Sequence, residues 1–71
     1  MNNYPVWYAI EFYGDETGTA AEKLNHFTEA LAMCGYTYNT DCEDVLFVIA
    51  DEVDKVERML KIRGKDDYEF I

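Results

Sequence analysis

Few residues in this chain are suited to chemistry. There is one histidine, His26, there are two cysteines, Cys34 and Cys42, and there is no serine. A serine nucleophile is thereby excluded. His26 stands beside Phe27 in a stretch of helical spacing, with no second base or nucleophile at a fixed offset, so it reads as a partly exposed helical side chain rather than a general base. Cys34 falls on the same apolar period as Leu24, Phe27 and Leu31 and is expected to serve as a small core hydrophobe. Cys42 lies among Asp41, Glu43 and Asp44, where neighbouring carboxylates disfavour a thiolate and hence reactivity. CxxC, HxxxH and EF-hand spacings are all absent, so neither a metal site nor a cofactor is expected. Gly14 and Gly18 enclose Asp15 and Glu16, and that loop would repel a phosphate instead of cradling it. The chain therefore reads as a binder, not an enzyme.

Acids dominate what remains. Fifteen Asp and Glu against six Lys and Arg give a net charge of −9 over 71 residues. Self-repulsion on that scale works against compactness. Direct binding to nucleic-acid backbone or to an anionic membrane is disfavoured, because both require basic patches. The complementary partner is a basic surface. Met1-Asn2-Asn3 carries no basic region of a signal peptide and no apolar run is long enough to span a membrane. Two cysteines make no disulfide framework, and the expectation is a cytoplasmic protein with free thiols.

The elements that position these residues follow from period and punctuation. Val6 to Tyr13 alternates, with Val6, Tyr8, Ile10 and Phe12 on one strand face and Trp7, Ala9, Glu11 and Tyr13 on the other. Thr19-Ala20-Ala21-Glu22 fits a capping box opening a helix over 20–34, which Gly35 ends. Tyr36 to Thr40 is a short strand and Asp41 to Asp44 its turn. Val45 to Ala50 is a continuous apolar run suited to a central strand. Asp51 is the expected N-cap of a second helix striped by Val53, Val56, Met59 and Leu60 and ended by Gly64; Asp67 to Ile71 is the last strand.

The order βαββαβ over a single domain, 1–71, predicts an α+β fold. In particular it predicts a ferredoxin-like two-layer sandwich, a four-stranded antiparallel sheet with two helices on one face. The first and third strands, the most apolar, are expected in the centre. In that arrangement the first loop, the hairpin turn and the last loop share one end. They carry Asp15, Glu16, Asp41, Glu43, Asp44, Asp66 and Asp67, with Lys65 as the expected nearby base. Asp51, Glu52 and Asp54 fall at the opposite end. The face without helices is expected to show Trp7 and Tyr13, with Tyr38 or Phe47 as a further candidate.

In size, charge and inferred fold the whole chain resembles phage-encoded anti-CRISPR proteins, among which ferredoxin-like acidic inhibitors of type I systems occur. The resemblance transfers no residue by motif. It implies a domain that mimics nucleic-acid charge and occupies a basic nucleic-acid-binding surface, such as that of a Cas protein, in a host bacterial cytoplasm. The seven carboxylates are then the expected partner-binding residues; a monomer is the favoured state, with a dimer through the sheet as the alternative. The alternative is a small regulatory or assembly module that uses the aromatic sheet face to hold a protein partner or small ligand, or to dimerise.

Overall fold

The computed structural model describes residues 6–41, 43–64 and 67–71. Within them β1 (Trp7–Phe12), α1 (Ala20–Cys34), β2 (Tyr38–Asp41), β3 (Val45–Ile49), α2 (Val53–Met59) and β4 (Tyr68–Phe70) follow in that order. The fold is α+β, and the four strands form one antiparallel sheet in the order β2-β3-β1-β4. The apolar β1 and β3 are central and the more polar β2 and β4 are edges. Thr40 N–H on β2 is taken by Asn39 Oδ1 at 2.9 Å, which blunts that edge against a further strand.

α1 begins where its capping box requires. Thr19 Oγ1 accepts from Glu22 N at 3.1 Å, and Glu22 Oε1 accepts from Thr19 N at 2.9 Å. That pair satisfies two amides the helix itself cannot. At the other end Gly35 takes φ 77°, and Tyr36 N donates to Leu31 O at 3.0 Å. A side chain at that left-handed position would be strained, which is why glycine ends the helix.

The second helix departs from expectation at its start. Asp51 caps nothing: Ala50–Glu52 form a 3₁₀ turn, and α2 begins at Val53 without a side-chain cap. Ala50 N still donates to Val6 O at 2.8 Å, so the sheet pairing runs up to the turn and the chain must reverse tightly. The Glu52 carboxylate instead accepts from Thr37 N at 2.7 Å. Beyond α2 a π-helical turn, Leu60–Gly64, completes the element.

One core joins the sheet to both helices. Ile10 and Phe12 from β1, Leu46 and Val48 from β3, Leu24, Phe27 and Leu31 from α1, and Val56 and Leu60 from the second helical segment are all buried together. Partners in antiparallel register share a face. Ile10 opposite Leu46 and Tyr8 opposite Val48 therefore fix the covered face, the one predicted from the alternation of β1. Its coverage is shorter than that alternation suggests, because Val6 and Tyr8 are exposed. Cys34 is exposed too, a correction to its expected place in the core. Cys34 is the last residue of α1, beyond Leu31, the last position of that helix to be buried. β3 is likewise covered on one face only, with Val45, Phe47 and Ile49 half-buried on the other.

Candidate functional site

The site is assembled at the end where β1 stops. Phe12 N donates to Asp44 O and Tyr13 N donates to Asp67 O, both at 2.8 Å, so the hairpin turn and the last loop flank the same strand end. The first loop leaves from there and folds on itself. Asp15 and Gly18 exchange backbone hydrogen bonds at 2.9 and 3.2 Å, and Asp15 Oδ1 accepts from Thr17 N at 2.8 Å and Thr17 Oγ1 at 2.5 Å. Gly14 permits this: a Cβ there would stand 2.9 Å from Ala20 N. The hairpin turn also meets the start of α1, where Glu43 and Asp44 line a shallow concavity with Thr19, Ala20 and Ala21. The positive end of the helix dipole favours carboxylates in that position.

Three acidic segments thus converge, as the topology predicted, but they are not equivalent. Lys23, one turn into α1, reaches both Asp15 Oδ1 at 3.0 Å and Asp67 Oδ2 at 2.5 Å. The Thr17 hydroxyl and then Lys23 hold the Asp15 carboxyl well below the usual carboxylate range, and Asp67 in turn holds the Lys23 ammonium above its ordinary value. These two acids are internal ties between loops. Glu16 and Glu43 are exposed, and Asp44 is half-buried. Asp41 closes β2 opposite Val45 rather than lying in the turn. Asp66 and Lys65 lie outside the described residues, as does Cys42. Lys65, the base expected here, is outside the described residues; the base that reaches two of these acids is Lys23, which the sequence pattern did not single out.

The sheet face without helices extends the acidic end. Glu11 lies directly opposite Glu69, and Asp41 shares their row across Val45. Tyr13 donates its hydroxyl to Glu69 Oε1 at 2.5 Å and approaches Glu11 Oε1 at 3.4 Å. The Glu69 bond, ahead of the other influences, pushes the Tyr13 phenol up to about 12. Tyr38 is not on this face: its register with Val48 places it on the helix side. Trp7 and Tyr13 are where the alternation of β1 put them, and the register of Ala9 with Phe47 places Phe47 on this face as well. Glu11 was visible on this face from β1, but its pairing with Glu69 needed the register.

His26 stands on the exposed side of α1 beside an open cleft of about 430 Å³ that Lys23, Arg63, Glu22 and Asp67 also line, above Phe12 and Phe27. Of the charges there, Lys23 is held in its two ion pairs and Glu22 in the capping box. Among the described residues no group of three or more His, Cys, Asp or Glu comes together to hold a metal ion. No helix among them is long and apolar enough to cross a membrane. No protein-family model, curated protein or solved structure matches the chain.

Proposed function

We propose that this domain is a ferredoxin-like binding inhibitor that mimics nucleic-acid charge and occupies the basic nucleic-acid-binding surface of a target protein, in the manner of an anti-CRISPR protein. The βαββαβ order and the β2-β3-β1-β4 sheet support the ferredoxin-like assignment. The observation that carries the function is the convergence of the first loop, the hairpin turn and the last loop on the end of β1. Acids scattered in sequence become one negative end on a rigid frame. Glu16, Glu43, Asp44 and Asp41 form its outer part; Asp15 and Asp67, tied by Lys23, hold the loops in place. Loops held this way need little backbone ordering on association, and the carboxylates they carry steer a basic surface into contact.

The test is competition for duplex DNA. A labelled duplex is bound to a purified type I CRISPR surveillance complex, and to other basic DNA-binding proteins for comparison, and this domain is added. Displacement is expected, and it should weaken by at least about tenfold between roughly 0.05 and 0.3 M salt as exposed charges are screened. The variant E16Q/D41N/E43Q/D44N should fail to displace. Absence of displacement from every protein, or equal displacement by the variant, would overturn the proposal.

A further inference from the structure

The helix-free sheet face has a composition that the acidic end does not explain. Along β1 and β3 the paired rows are Trp7 with Ile49, Ala9 with Phe47, and Glu11 with Val45. The first two rows and Val45 make an apolar band. Ile71, whose amide donates to Ala9 O at 2.9 Å, extends it to the β4 side. Trp7 is 38% exposed and Ile71 77%. No helix covers this band, since both pack on the opposite face.

The band ends at the row Asp41, Val45, Glu11, Glu69. Like charges directly opposite on adjacent strands destabilise a sheet. Here two carboxylates share one neutral phenol, that of Tyr13, which leaves both negative charges in place. Among the described residues the ion pairs are those of Lys23 with Asp15 and Asp67, so neither Glu11 nor Glu69 has a cation of its own. An apolar band bordered by a like-charge pair lacking a counter-cation is complementary to a surface with apolar side chains next to Arg or Lys.

We propose that the helix-free sheet face is the docking surface for a basic protein, which covers Trp7, Phe47 and Ile49 with apolar side chains and sets an Arg or Lys between Glu11 and Glu69. This rests on the chain being a binder of a basic protein and adds where the contact is centred. A second copy is a poor occupant on two counts. It brings another −9 to the contact. The face, four strands wide and about six residues long, has a footprint of roughly 300 Å², and even doubled for surface relief that falls short of the roughly 800 Å² per partner of a stable interface. A basic partner gains the remainder from the adjoining acidic end, where like copies would repel.

The experiment is a ¹H–¹⁵N NMR titration of the full chain with three synthetic peptides, one alternating Arg and Leu, one alternating Lys and Gly, and one alternating Glu and Leu. The Arg-Leu peptide should perturb Trp7, Ala9, Phe47 and Ile49 and the Trp7 indole. It should bind at least about tenfold more tightly than the Lys-Gly peptide, because leucine adds apolar burial that glycine cannot. The Glu-Leu peptide should not bind, and E11Q/E69Q should lose about tenfold in affinity for the Arg-Leu peptide. Sedimentation velocity should show a monomer at low and high salt. Perturbations gathered at Glu16, Glu43 and Asp44, with the two basic peptides binding alike, would overturn the face as docking surface while leaving the acidic-end competitor intact. Binding by no peptide, or a dimer formed through this face, would also overturn it. Success here with failure of the DNA competition would instead remove the nucleic-acid mimicry and keep the docking face.

Discussion

Replacing Tyr13 by Phe probes the arrangement on the helix-free face most directly, because it removes one oxygen and leaves the ring. That oxygen donates at 2.5 Å to Glu69 and stands 3.4 Å from Glu11, and ionising it would put a third negative charge beside two carboxylates while breaking the bond. The structure therefore places the phenol at about 12 rather than 10.0, a separation of two pH units. The sign follows from linkage. The folded protein holds this proton more tightly than the unfolded chain, so the contribution to stability is complete below pH 10 and is lost as pH rises through about 12. Six tyrosines are present, and their ionisation is followed by ultraviolet absorbance, with circular dichroism marking the range in which the chain stays folded. The difference between the parent titration and that of Y13F should be a single component with a midpoint near 12. E69Q should move that component down by most of the separation. E16Q, an equal change in net charge away from the phenol, should hardly move it. A Y13F difference centred near 10, or equal effects of E69Q and E16Q, would refute the described geometry.

Two further outcomes test the frame that holds the site. Leu31→Ala deletes most of a side chain with no exposed area in the centre of the core and should cost about 2–5 kcal/mol, against a total of roughly 4–11 kcal/mol for a domain of this length. Urea unfolding followed by Trp7 fluorescence reads this, a loss under about 1 kcal/mol would contradict the packing, and Met33→Ala at an exposed position should be nearly neutral. Asp15→Asn should lose the tie to Lys23 and weaken the bond from Thr17. Because Asp15 in the folded chain ionises well below its usual 3.8, its contribution is present above that pH and lost as pH falls below it. The gap in urea midpoint between about pH 7 and about pH 3 should then be smaller in D15N than in the parent, and an unchanged gap would mean that Asp15 does not tie the loops.

Local signals in the sequence determined much of this protein. The capping box Thr19–Glu22 and the glycine at 35 set both ends of α1, because each satisfies orphan amides or carbonyls by contacts within a few residues. The alternation of β1 marked the covered face, and the contrast of apolar and polar strands marked centre and edge, because burial on one face or two leaves its own period in the chain. Element order then placed the three acidic loops together. Tertiary structure decided what no local period encodes. Cys34 fits the stripe of α1 yet is exposed at the end of the helix, since a helical period marks a face but not how far along it the core extends. Asp51 has the chemistry of a cap yet makes none, since pairing of Ala50 with Val6 dictates how the chain turns. Lys23 became the tie between Asp15 and Asp67, and Glu11 met Glu69, only through loop closure and strand register. Those contacts join residues more than forty positions apart in the cases of Lys23 with Asp67 and Glu11 with Glu69. Sequence determines which charges exist, but only closure of the sheet determines which of them are tied to one another and which are left exposed.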